Sequence, residues 1–259
     1  MTFAEILKTF SDPYDKKARV FPGLLVALPV LVPILWIFGP RNPYLTSLLT
    51  LVASCGVLYW LASIARSRGK AVEEKLVAQW GGMPSTLILR HRDKFLDSTS
   101  TVRYHTQIRE KLGINLPSPS EELADVAAAD DLYVGATRLL REKTRGKSNA
   151  LLLKENIAYG FQRNMLGMKP FGILTCLCGI AAGLVLAKAV QLRPWQVNLE
   201  NLAEPGGAGG MTLVISAVLL VAWLTVTKTT VRQVGYVYAE RLFESLAALP
   251  TQRKRVTST

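Results

Sequence analysis

Residues 28–36 read LPVLVPILW, with Pro29 and Pro33 four positions apart inside an otherwise apolar run. Proline has no amide hydrogen, so Pro29 cannot donate to the Leu25 carbonyl and Pro33 cannot donate to that of Pro29. A helix here kinks and leaves two acceptors free on one side. In hydrocarbon an unsatisfied carbonyl is costly, so these acceptors have to face other helices or a watery cavity rather than lipid. The stretch is therefore informative only if it crosses a membrane, and the rest of the chain has to decide that.

The chain has 259 residues, 49% of them apolar, with 31 basic residues against 19 acidic ones and a net charge of +12. Its mean hydropathy of +0.23 is high for a soluble domain. The two properties are compatible because the apolar residues come in blocks. Phe21–Phe38, Leu45–Ala65, Pro170–Leu192 and Met211–Thr227 each approach the length of about 20 residues that crosses about 30 Å of hydrocarbon. None contains an acidic residue, and the one cation, Lys188, lies near the end of the third run, where its stem can snorkel to the interface. The first run starts too late and is too long for a cleaved signal, so we expect it to be retained.

Loop charges set the orientation. Lys8, Lys16, Lys17 and Arg19 precede the first run, whereas the two loops inside the hairpins carry only Arg41 and Arg193. The segment from Arg66 to Lys169 holds 18 basic and 12 acidic residues, and the tail adds Lys228, Arg232, Arg241, Arg253, Lys254 and Arg255. The excess of Lys and Arg predicts that both termini and the central segment are cytoplasmic.

The expected fold class is an all-α integral membrane protein, with four transmembrane helices in two hairpins around a helical cytoplasmic block. Residues 1–20 form an amphipathic N-terminal helix that Pro13 ends, suited to an anionic lipid surface or to packing on the protein's own helices. Residues 21–65 are the first hairpin, 66–169 the cytoplasmic helices, 170–227 the second hairpin, and 228–259 a C-terminal helix with a basic tail. Within the block, STSTVRYHTQIREKLG has a polar start and a glycine stop at Gly113. The next helix opens with Ser118 as N-cap, Pro119 at the first helical position and Glu121 completing a capping box, and stops at Gly146. A stripe of Leu153, Ile157, Phe161, Met165 and Met168 then leads into the third span, interrupted at Gly167 and Pro170. The outer segment Gln191–Gly210, ending in EPGGAGG, lacks the Lys-Ser/Thr of a phosphate loop and is expected to be a flexible linker.

Catalytic signatures are weak. HRD at His91–Asp93 has no Asn five residues on and no glycine-rich loop or DFG, so it is no kinase loop. His91 and His105 lack the spacing of a metal site, and Cys55, Cys176 and Cys178 lie within spans as small packing residues. No Ser-His-Asp or Cys-His set can be assembled, so we expect no enzyme, metal or cofactor.

Three sets of residues remain. Gly172, Gly179 and Gly183 form a small-residue face suited to close helix packing, either with a second copy or within the bundle. Pro29 and Pro33, with Pro170, are candidate pore or hinge positions, the alternative being an inert kink satisfied by neighbouring hydroxyls. Arg90, Arg92, Lys94, Arg103, Arg109, Arg138, Arg141, Arg145 and Lys147 lie far enough from the spans to hold an anionic ligand, with Tyr104, Tyr133, Tyr159 and Phe161 able to stack a base.

The layout of spans and basic helices resembles the four-span effectors of bacterial anti-phage nucleotide-signalling systems, over the whole chain but as architecture, with no shared motif. The resemblance implies a multi-pass protein of the bacterial inner membrane and a homo-oligomeric channel or pore gated by a nucleotide or oligonucleotide. The alternative is a non-conducting, membrane-anchored scaffold that recruits a cytoplasmic protein partner. Membrane lipid is a partner under either reading. A coupled transporter fits poorly, because no carboxylate lies in any span.

Overall fold

A computed structural model describes residues 12–38, 44, 47, 57–145 and 149–251. Among them the chain is helical apart from one short β-hairpin. Three helical stretches are long and apolar enough to cross a membrane: Pro13–Ile37, Ala150–Leu186 and Gly206–Thr225. Most of the fourth expected span, residues 45–65, lies outside the described residues, as does the amphipathic helix expected before residue 12. The chain divides into two compact units. One holds the described residues up to Glu73 together with Gly160–Val231; the other holds Glu74–Tyr159 and the described residues from Arg232 onward.

The first unit opens with a helix that Pro13 starts. Asp12 is extended and its carboxylate accepts from the Tyr14 amide at 3.0 Å, so proline occupies the first helical position, where it needs no hydrogen. A π-helical turn over Lys16–Val20 runs without a break into α1 (Phe21–Phe38), which contains Pro29 and Pro33. Lys16, Lys17 and Arg19 are thus part of the span's own helix. Helix α2 (Leu58–Trp80) passes from the end of the expected second span into polar sequence, ending at Gly81 and Gly82 with φ of 76° and 153°.

We label the following helices α3 (Ser98–Leu112), α4 (Pro119–Ala124), α5 (Val126–Lys143), α6 (Ala150–Leu186), α7 (Gly206–Thr225) and α8 (Lys228–Glu244). Helix α6 is 37 residues long and continues through Gly167 and Pro170, where the sequence predicts an interruption. Packing supplies the reason. A Cβ on Gly167 would sit 2.6 Å from backbone atoms of Arg68 and Gly69, so the glycine lets α2 lie directly on α6. The buried core here is Val26, Ala65, Met165, Met168, Cys176, Trp223 and Val226.

Two sequence expectations change beyond α6. The helix stops at Leu186 rather than Leu192, and Val190–Leu192 (β1) pairs antiparallel with Trp195–Val197 (β2), Val190 opposite Val197. The glycines of EPGGAGG are not linker either: Gly206–Gly210 form the first turns of α7. Gly209 faces Ala187 so closely that a Cβ would approach its amide nitrogen to 2.7 Å, so tertiary contact overrides poor helix propensity. At the other end α7 breaks at Val226, whose backbone is extended, instead of continuing into α8. Lys169 stabilises that end, its Nζ donating to the carbonyls of Val226 at 2.7 Å and Leu224 at 3.3 Å.

In the second unit, α3 is capped by Asp97 and ends at Gly113, which has a φ of 73°. The Ser118–Glu121 capping box forms at the start of α4. The long helix expected from Pro119 is two helices, because Asp125 leaves helical geometry and its carboxylate accepts from the Ala128 amide to start α5. Ile88, Leu89, Ile108, Tyr133, Leu140, Leu242 and Phe243 are central to the core between these helices and α8.

The Gly167→Ala variant is expected to lose about 1–3 kcal/mol of stability, because backbone cannot rotate away as a side chain can. Thermal unfolding of the detergent-purified chain measures this, and a variant as stable as the parent would show that α2 and α6 do not lie so close.

Candidate anion-binding site

The HRD segment follows the short helical turn Pro84–Leu87 and faces α4 and α5. Arg90 donates through Nε and one terminal nitrogen to the Asp130 carboxylate, both at 2.8 Å, and to the Gly81 carbonyl at 2.9 Å. Arg92 bridges Glu122 and Asp130 at 2.7 Å to each. Glu122 is only 1% exposed, and its Oε2 also accepts from the His91 amide at 2.8 Å and the Tyr133 hydroxyl at 2.9 Å. Two of the arginines expected to bind a ligand are therefore engaged by carboxylates of their own chain. Their arrangement fastens the segment to α4 and α5.

Burial opposes ionisation of Glu122, but the hydrogen bonds from His91, Tyr133 and Arg92 outweigh it and hold the carboxyl below its ordinary value of 4.5. Burial, reinforced by Glu122, pushes the Tyr133 hydroxyl up, so it remains a donor. Burial lowers His105 from its ordinary 6.5, despite its hydrogen bond with the Leu89 carbonyl. His91 contacts the Pro117 carbonyl through Nε2 at 3.2 Å, and the two histidine rings lie 4.7 Å apart. Among the described residues no group of three His, Cys, Asp or Glu side chains is placed to hold a metal.

The other cations are differently placed. Lys94 is exposed on a residue with a φ of 46°. Arg103 lies over the Tyr104 ring at 4.9 Å, and Arg138 pairs with Glu142 at 3.4 Å on the α5 surface. Arg109 lines a cavity of about 200 Å³ beside His91 and His105. Lys147 lies outside the described residues.

Arg141 and Arg145 come together with a different set. They line a cavity of about 300 Å³ with Thr144, Asn149, Leu152, Leu153, Asn156 and Tyr238. Among the described residues neither arginine has a carboxylate within ion-pair distance. Leu152, Leu153 and Asn156 lie on one face of the first two turns of α6, with Asn149 just before it, and Arg141 lies in the last turn of α5, with Thr144 and Arg145 just beyond it. Two guanidinium groups supply charge, two asparagines supply donors and acceptors, and Tyr238 supplies a ring. That is chemistry suited to a phosphate-bearing ligand. The sequence reading missed Asn149, Asn156 and Tyr238. The first two were detectable from their seven-residue spacing, whereas Tyr238 arrives from α8. Of the aromatics expected to stack a base, Tyr104, Tyr133 and Tyr159 are buried, Tyr159 against Tyr238 at 6.2 Å.

In the first unit the proline and glycine features meet. Pro29 and Pro33 line an apolar groove of about 610 Å³ with Cys178, Gly179, Ala182 and Val185. A Cβ on Gly179 would lie 3.1 Å from the Pro29 carbonyl oxygen and 2.3 Å from the Ser216 hydroxyl, which is buried with no hydrogen-bond partner among the described residues. The carbonyl freed by Pro33 thus faces α6, beside a hydroxyl. Gly172 faces the Trp223 ring and Gly183 faces Leu213, so the small-residue face of α6 is filled by α1 and α7 of the same chain. Pro170 is exposed and does not line the groove.

Both lowered groups have the same consequence for pH. Each favours the deprotonated form in the fold, so stability is complete above the ordinary value and falls as pH drops through the lowered one. Thermal unfolding temperature is expected to decline first below pH 6.5 through His105 and again below 4.5 through Glu122. Glu122→Gln should lower stability by about 1–3 kcal/mol at neutral pH, leaving Arg92 short of its partner, and should reduce the second decline, the remainder coming from Glu121 and Asp97, which hydrogen bonds also hold low. An unchanged acid profile in that variant would overturn the assignment. Compared with known proteins, the chain matches no family model, no curated protein and no solved structure.

Proposed function

We propose that the chain is the protomer of a homo-oligomeric membrane effector, an ion channel or pore gated by a nucleotide or oligonucleotide. In this reading it has four spans in two hairpins, residues 45–65 providing the second, and lies in a bacterial inner membrane with both termini cytoplasmic. The resemblance of the sequence layout to four-span effectors of anti-phage signalling supports the ligand class. One observation carries the gating: the Arg141–Arg145 cavity is lined by the first turns of α6, and α6 is also a membrane-length helix. A ligand that pulls the start of a continuous helix acts on its whole length, because the backbone hydrogen bonds resist local bending. Helix α1, which carries Pro29 and Pro33 and is seated against α6 at Gly179, is the element that such a movement repositions.

A second reading is a non-conducting scaffold that recruits a cytoplasmic partner. Its support is the apolar surface of the spans: Val214, Val218, Val221 and Leu224 on α7 and Leu174 and Leu177 on α6 are all exposed, with no polar stripe among them.

Light scattering of the detergent-purified chain is expected to give a closed oligomer, and reconstituted liposomes should show ion flux that changes when nucleotides or short oligonucleotides are added. Arg141→Ala with Arg145→Ala should weaken binding of such a ligand by about tenfold or more, while Arg138→Ala changes it little. Pro29→Ala with Pro33→Ala should alter flux more than unfolding temperature. A monomer whose liposomes leak no more than empty ones would sink the channel and leave the scaffold.

A further inference from the structure

A second basic cavity lies at the polar end of the first span, in the other unit from the Arg141–Arg145 site. It encloses about 200 Å³ and is lined by Asp15, Arg19, Tyr59, Ala62, Ser63 and Arg66. Arg19 projects from the π-helical turn, two residues before the apolar helix α1 begins. Arg66 follows directly on Ala65, where the apolar part of α2 gives way to Arg66, Arg68 and Lys70. Gly23 lies against Leu61, so the two helices run side by side in opposite directions and bring both arginines to the same level. That level is the boundary between the apolar and the polar stretches of both helices.

The donors of this cavity exceed its acceptors. Arg19 pairs with Asp15 through one terminal nitrogen, and its Nε is buried with no partner among the described residues. The guanidinium lies over the Tyr14 ring at 5.2 Å, which holds it in place. Arg66 has no hydrogen bond or ion pair among the described residues. Two guanidinium groups therefore face one carboxylate, and the hydroxyls of Tyr59 and Ser63 line the same space. A group with several anionic oxygens would satisfy these donors. The surroundings decide its source. Trp60 is 63% exposed, and the amphipathic ring of tryptophan sits at the headgroup level of a bilayer.

We propose that this cavity binds the phosphate of an anionic glycerophospholipid, whose acyl chains lie along α1 and α2. The site goes beyond the gated-effector reading and is independent of conduction. It rests only on α1 lying in a membrane.

The test uses the full chain in detergent, with native mass spectrometry counting bound lipid after titration with phosphatidylglycerol or phosphatidylcholine. Phosphatidylglycerol is expected to stay bound in preference, and Arg66→Gln to reduce its retention about tenfold, while Lys70→Gln, one helical turn away, leaves it unchanged. Ser63→Asp, which places a second carboxylate at the cavity without removing an arginine, should reduce retention likewise, so the result does not depend on one variant folding. Equal losses in Arg66→Gln and Lys70→Gln would overturn the site in favour of a diffuse charge effect. Displacement of the lipid by millimolar inorganic phosphate would overturn the lipid as occupant and leave a free-anion site.

Discussion

The first unit depends on one buried polar crossing. Asn164 is fully buried on α6, and its Nδ2 donates at 2.6 Å to the carbonyl of Ala18 in the π-helical turn before α1. Its Oδ1 accepts from Arg163 Nε at 3.2 Å, and Arg163 in turn pairs with Glu73 of α2 at 3.0 Å. A Cβ on Gly69 would lie 1.9 Å from Oδ1, so only a glycine lets α2 pass over the amide. Three helical segments are thereby fixed by one side chain. Buried polar groups specify register because any other arrangement leaves them unsatisfied.

The same constraint explains why α6 continues as one helix through residues that suggest a break. Gly167 lies one turn beyond Asn164 and admits the α2 backbone, and Lys169 ties the end of α7 to α6. Further along, Gly172, Gly179 and Gly183 receive Trp223, Ser216 with Pro29, and Leu213. Without side chains in the way, close backbone approach gains dispersion contacts, which drive helix association where the surroundings are as apolar as the helices. A second copy of the chain would consequently have to meet a different surface, and α7 offers one in its exposed valines.

In the second unit, electrostatics separates two groups of arginine that look alike in sequence. Arg90 and Arg92 are drawn into a network with Asp130 and buried Glu122, where desolvation makes an unpaired charge costly. Arg141 and Arg145 remain beside open space at the end of α5. The first pair organises the unit, and the second lines a cavity with no carboxylate partner among the described residues. The cavity beside Arg19 and Arg66 repeats the second pattern at the edge of the apolar helices, with Asp15 neutralising only one of the two charges.

The sequence alone determined that the chain is helical and carries membrane-length segments, because apolar blocks without charge have few other solutions. It also determined the local stops and starts, namely the Ser118–Glu121 capping box and Gly113 in the left-handed region, since these depend on neighbours a few residues away. The split at Asp125 and the hairpin at Val190–Val197 were less legible, because helical periodicity on either side masks the local cap of Asp125 on Ala128 and the short pairing of Val190–Leu192 with Trp195–Val197. Which arginines face carboxylates, which glycines face which side chains, and that Tyr238 joins Asn149 and Asn156 were decided by tertiary structure. Those pairings join residues dozens of positions apart, such as Arg90 and Asp130, and no local periodicity encodes the choice of partner. The composition shows an excess of basic residues, whereas only the fold distinguished charges already neutralised from charges without a carboxylate partner.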